Sequence, residues 1–83
     1  MFDTALEELR GADKVVGVKS LRKALSDRRA KLVFIASDAD PALVQPIEAL
    51  CAQSGVRVEY AATMKLLGTA CGISVKAAVA AIV

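Results

Sequence analysis

Three groups of residues in this 83-residue chain have types and spacing that could do chemistry. The first is basic. Between positions 14 and 31, Lys14, Lys19, Arg22, Lys23, Arg28, Arg29 and Lys31 face the single acid Asp27, a local balance of +6, while the rest of the chain sums to −4. Charge gathered in this way is the footprint of a surface that meets an anionic partner, although the formal net charge is only +2. Within "VVGVKSLRKAL", Gly17 and Val18 lead from a β-branched run straight into a helical pattern. The backbone N–H groups at such a helix start are orphan donors that attract anions, and Lys19 and Lys23 extend the positive field. The blander reading of the same residues is a solvated helix face.

The second group is Asp38 and Asp40, at the end of the apolar run "KLVFIAS". Two carboxylates beyond a buried strand could hold Mg²⁺ for phosphoryl transfer. No Gly-rich phosphate loop accompanies them and no Ser or Thr is placed to complete one. Asp40 as a helix cap and Asp38 as a loop acceptor is therefore the favoured reading, with a small metal-dependent phosphotransfer enzyme as a lesser alternative. The third group is "LLGTACGISVKAA", residues 66–78. Gly68 inside a helix points to close approach by a neighbouring element, and Gly72 to a left-handed helix end. Ile73 and Val75, around Ser74, either stand exposed beside Lys76 or point inward as the start of the last strand; the pattern leaves both open.

Composition removes other chemistries. The absence of histidine excludes His-based triads and most zinc sites. Without tryptophan and with Tyr60 as the lone tyrosine, no aromatic platform for stacking single-stranded bases exists. Cys51 and Cys71 lie in apolar contexts without metal-ligand spacing and read as reduced core residues. No metal and no cofactor is expected. No run of about 18 uncharged apolar residues occurs, so a cytoplasmic protein away from membranes is expected.

The elements that position these groups follow from hydrophobic period. "DTALEELR", with Asp3 before its first turn and Leu6 and Leu9 on one side, reads as a helix stopped by Gly11. "KVVGV", 14–18, reads as a strand, followed by a helix from Lys19 to Asp27 with Leu21, Ala24 and Leu25 inward. "KLVFIAS", 31–37, suits a strand covered on both faces. Asp40 and Pro41 start a helix with Leu43, Ile47, Leu50 and Cys51 as its buried stripe; Pro46 implies either a start nearer Val44 or a kink. Gly55 closes that helix, and "VRVEYA", 56–61, alternates as a strand. Thr63 caps a helix to Cys71 with Met64, Leu67 and Cys71 inward, and residues 75–83 form a final buried strand, although their alanines also permit a helix. The order αβαβαβαβ over one domain, residues 1–83, predicts an α/β fold with helices on both faces of a central sheet. The interior must be built from Ala, Val, Leu and Ile, because 55% of the residues are apolar and only 4% aromatic.

From about Lys14 to Val83, "VVGVKSLRKAL", "VFIASDADP" and "MKLLGTACGISVKAAVAAI" together resemble the kink-turn RNA-binding ribosomal proteins of the L7Ae/L30e type, most closely their compact bacterial members. The resemblance implies a three-layer α/β/α sandwich around a four-stranded mixed sheet, and a non-enzymatic protein that binds kink-turns in structured RNA. It implies that Gly17, Lys19, Ser20, Arg22 and Lys23 belong to the junction and helix entering the opened major groove at tandem sheared G·A pairs. It further implies an acidic loop residue near RNA at Asp38, a basic contact at Lys65, and packing of Ile73, Ser74 and Val75 on an extruded nucleotide. Lys19-Ser20 stands where many members carry Asn-Glu; Ser20 is shorter and uncharged, so reading of guanine N1 and N2 there is lost or passes through water. Ribosomal RNA, riboswitch RNA and the ribosome are the implied partners, and the protein is expected to be a monomer. The same fold family includes members that bind proteins, which leaves a protein-interaction adaptor as the rival reading.

Overall fold

A computed structural model of the chain describes residues 4–83. The expected place of Asp3 before the first helical turn lies outside the described residues. The elements are α1 (Thr4–Gly11), β1 (Lys14–Val16), α2 (Val18–Ser26), β2 (Leu32–Ala36), α3 (Pro41–Ser54), β3 (Arg57–Ala61), α4 (Met64–Ala70) and β4 (Val79–Ile82). Their order is the alternation that the hydrophobic pattern predicts. The four strands form one sheet in the order β1-β4-β2-β3. β4 runs antiparallel to both β1 and β2, whereas β2 and β3 are parallel, so the sheet is mixed. α1 packs against α4 and α2 against α3, which gives a layer of two helices on each face.

β2 is the centre of the core. All five of its residues are buried, and it is hydrogen-bonded to β3 on one side and β4 on the other. Alternate residues of a strand face opposite ways. Tyr60 reaches Glu48 on α3, so its parallel register partner Ile35, together with Val33, faces the α2/α3 layer. Leu32, Phe34 and Ala36 face the α1/α4 layer. Opposite β2, β4 contributes Val79, Ala80 and Ala81, all fully buried. No polar or charged residue is buried among those described, so apolar contact alone fills the interior.

Several boundaries differ from the sequence expectation. Val18 is the first residue of α2 and not the last of β1, because Gly17 adopts φ 96°, ψ 160° and breaks the extended run. On α3, Leu43 is 37% exposed, and Val44, Ile47 and Cys51 make the buried face. α3 does begin at Pro41: Asp40 Oδ1 accepts from Ala42 N at 2.9 Å and fixes the start, so Pro46 lies inside the helix. The helical bond that Pro46 cannot make would have ended on the Ala42 carbonyl, in the exposed first turn of α3. β4 begins only at Val79; residues 72–78 form an irregular segment folded back along α4.

Gly68 holds that segment in place. A Cβ built there would lie 2.1 Å from the Val75 carbonyl oxygen, a backbone atom that cannot swing aside. Ile73 N donates to Gly68 O at 3.1 Å and Ala77 N to Met64 O at 3.0 Å. Replacing Gly68 with Ala should lower stability by roughly 2 kcal/mol or more, because backbone must shift. Gly11→Ala, at a helical position with nothing within 4 Å, should change it little. Urea denaturation of the two variants checks the contrast.

On β3, the Tyr60 hydroxyl donates to the Glu48 carboxylate. That hydrogen bond, with lesser contributions from burial and charge, raises the phenol above its ordinary 10.0. The bond is intact below that value and is lost as the pH rises through the folded-state pKa. Tyr60 is the only tyrosine and tryptophan is absent, so absorbance near 295 nm reports it cleanly. Glu48→Ala should move its titration midpoint down toward the ordinary value; an unchanged midpoint would refute the coupling.

Candidate nucleic-acid interface

β1, β2 and β3 point the same way and β4 the other, so the ends of three strands and the beginning of the fourth share one end of the sheet. The α2, α3 and α4 starts all follow from that end. Across it the chain presents, in order, Gly17 and Lys19 after β1, residues 72–78 before β4, Asp38 after β2, and Thr63 to Lys65 after β3. At ordinary strand spacing this row is about 14 Å wide.

The start of α2 is chemically distinct. Gly17 N donates to Val79 O at 3.0 Å, and Gly17 O accepts from Leu21 N at 3.0 Å. Its backbone lies in a region open essentially to glycine alone. No side chain caps the helix. α3 has the Asp40 cap, and at α4 the Thr63 Oγ1 accepts from Leu66 N at 3.0 Å. Of these three helices, only α2 leaves its first-turn donors uncapped, which is the arrangement that favours an anion. Lys19, Ser20 and Arg22 are exposed on its first turns, and Lys23 is exposed on its last. Lys23 approaches Asp27 at 3.7 Å with its side chain 75% exposed, an i,i+4 pair worth at most about 0.5 kcal/mol.

Asp38 plays a structural part that is visible directly. Its Oδ1 accepts from Met64 N at 2.8 Å, tying the β2–α3 loop to the first turn of α4. Lys65 follows on that turn, exposed. The two orientations left open for Ile73 and Val75 are divided between them. Ile73 is half-buried against the core, and Val75 is 66% exposed, with Ser74 exposed between them. Leu66, 49% exposed beside Lys65, adds an apolar group that the sequence reading passed over. Its signal was its position off the Met64–Leu67–Cys71 stripe.

The fold does not keep the seven bases of residues 14–31 together. Lys19 and its neighbours on α2 stand near the loop row. Arg28 and Arg29, in the turn after α2, and Lys14 and Lys31, at or beside the starts of β1 and β2, belong to the opposite end of the sheet. The reading of these seven bases as the footprint of one surface is therefore corrected to two basic regions at two poles.

Asp38 and Asp40 each use a carboxylate oxygen on a backbone N–H, as loop acceptor and helix cap. No cluster of three or more His, Cys, Asp or Glu suited to a metal occurs among the described residues. Cys51 and Cys71 are free and buried, and burial pushes both thiols up, which keeps them as inert thiols. No helix among the described residues is long and apolar enough to cross a membrane.

By fold the molecule is a three-layer α/β/α sandwich of the kind solved for the Giardia lamblia 15.5kD RNA binding protein. The two share a TM-score of 0.82 and 30% identity over 99% of this chain and 76% of that one. The chain belongs to the ribosomal protein L7Ae/L30e/S12e/Gadd45 family, whose pattern matches residues 3–83. Among its relatives, a protein named RNA-binding protein from Caldanaerobacter subterraneus is 43% identical over 82% of this chain and 83% of its own length. Another of that name, from Halalkalibacterium halodurans, is 40% identical over 88% of this chain and 89% of its own.

Asp38→Ala should cost about 1–2 kcal/mol by orphaning Met64 N, whereas Asp38→Asn, which keeps an acceptor oxygen, should cost less. Equal urea midpoints for the two variants would show that the bond does not set the loop.

Proposed function

We propose that the protein is a non-enzymatic RNA-binding protein that recognises kink-turns in structured RNA through the loop row at one end of its sheet. The observation that carries this reading is the uncapped start of α2 beside exposed Lys19, in one row with exposed Val75 and Lys65. Kinship with proteins named as RNA-binding supports it.

Each part has a chemical task. The free N–H groups of α2 receive a phosphate. Lys19 and Lys23 donate to guanine O6 and N7, with Arg22 adding to the field and Ser20 reaching base edges through water. An undistorted A-form major groove is too narrow for such contacts, so a kinked groove is selected. Val75, with Ile73 behind it and Ser74 at the tip, offers an apolar surface to a base driven out of the stack, and Lys65 meets the backbone beside Asp38. Binding the bent state preferentially shifts a kinked/extended equilibrium toward the kink. The RNA belongs to a ribosomal or riboswitch structure in the cytoplasm, the ribosome is a candidate assembly, and the protein acts as a monomer.

The test is titration into a labelled kink-turn and into the same helix with its G·A pairs replaced by Watson–Crick pairs, at near-physiological salt. A clear preference for the kink-turn is expected; equal binding would reduce the site to a basic patch and favour a protein-interaction adaptor. Arg22→Ala, which removes a positive charge from the field and no base contact, should weaken binding and make the salt slope shallower by about 1. Ile73→Ala should weaken binding with little change of slope. Identical slopes would overturn this division of roles.

A further inference from the structure

The basic pole opposite the loop row has no part in the function just proposed. The chain leaves α2 through a Schellman turn: Arg28 N donates to Leu25 O at 3.2 Å and Arg29 N to Ala24 O at 2.9 Å. The turn's left-handed position, normally glycine, is Arg28 at φ 59°, the one non-glycine residue with positive φ among those described. A side chain there costs stability that glycine would not. Neutralising the helix dipole does not explain it, since Lys23 already stands in the last turn of α2 and Arg29 Nε lies 3.7 Å from Asp27. The Arg28 and Lys31 side chains make no hydrogen bond or ion pair among the described residues, and both residues are exposed.

Arg28 also lines a cleft of about 470 Å³ between the C-terminal ends of α2 and α3. Ser26, Gln53 and Ser54 line it with polar groups, and Leu25, Ala30 and Val56 supply its apolar wall. Arg28 at an open cleft of neutral hydrogen-bonding groups, with exposed Arg29 and Lys31 close by in the chain, suits a ribose-phosphate chain: the cations meet phosphates, and the hydroxyls and amide meet the 2′-OH. The acids near this pole are Asp27 on the turn, Asp13 beside β1 and Glu59, which is engaged by Arg57 at the start of β3.

We propose that Arg28, Arg29 and Lys31 form a second RNA-contacting surface, which holds a single-stranded segment while the loop row holds the kink-turn. The proposal rests on the RNA-binding reading for its choice of RNA over an acidic protein. The two surfaces lie at opposite ends of the sheet, so the protein would bridge two segments of RNA.

The test uses the full chain and a labelled mixed-sequence single-stranded RNA of about 12 nucleotides, added alone and to protein already saturated with unlabelled kink-turn RNA. The strand should bind in both cases, with a log–log salt slope near −2 for three neutralised phosphates. The triple variant Arg28→Gln/Arg29→Gln/Lys31→Gln should lose at least tenfold in strand affinity while its kink-turn affinity changes less than twofold. Arg28→Gly separates ligand contact from structure, because it should raise the unfolding temperature while weakening strand binding. Undiminished strand binding by the triple variant, its displacement by kink-turn RNA, or equal competition by oligoglutamate would each overturn the proposal. Because the strand is also titrated alone, failure of kink-turn recognition would be read separately from failure of this pole.

Discussion

The reversed direction of β4 is the constraint on which the rest of the structure depends. By inserting antiparallel between β1 and β2, it brings its own beginning level with the ends of three other strands. Gly17 N to Val79 O, Ala36 N to Ala78 O and Ser37 N to Ala61 O stitch those ends together at 2.8–3.0 Å. Without the reversal, residues 72–78 would leave the sheet at the other pole, and neither Val75 nor Lys76 would share an end with Lys19, Asp38 and Lys65. Alanines at 80 and 81, fully buried, make the insertion possible by keeping the middle of the sheet thin between two helical layers.

The three helix starts on this end are finished differently. Asp40 caps α3, Thr63 and Asp38 satisfy donors at α4, and α2 follows a glycine with no side chain able to cap. Capping removes the electrostatic opening at two places and leaves it at one. A shared sheet end with three similar helix starts therefore becomes a directional surface, positive at the α2 side and mixed at the Asp38 side.

The elements were legible in the sequence because their period and punctuation agree: Asp40-Pro41, Gly55, Thr63 and Gly72 mark boundaries that the backbone respects. Gly68 was legible as a close approach, and its partner was not, since a contact with the Val75 backbone leaves no side-chain pattern. The two alternatives for Ile73 and Val75 could not be separated locally, because the choice depends on where residues 72–78 cross α4. Strand order was equally invisible, and with it the separation of Lys19 and Arg22 from Arg28, Arg29 and Lys31. Sequence proximity put those bases together; one nine-residue helix, about 13 Å long, sends them to opposite poles. Leu43 was misplaced by one position on α3, a small rotation that the stripe of Val44, Ile47 and Cys51 corrects.

The close packing of Gly68 against the Val75 carbonyl turns residues 72–76 from a loop into a shelf, fixed before any ligand arrives. A fixed shelf does not tighten or reshape itself around what it meets, and the entropy of ordering it was spent during folding. Under the proposed function, the conformational work of association falls on the nucleic acid. The rate of complex formation would then follow the fraction of RNA already bent, and divalent ions that favour the bend would hasten assembly without touching the protein.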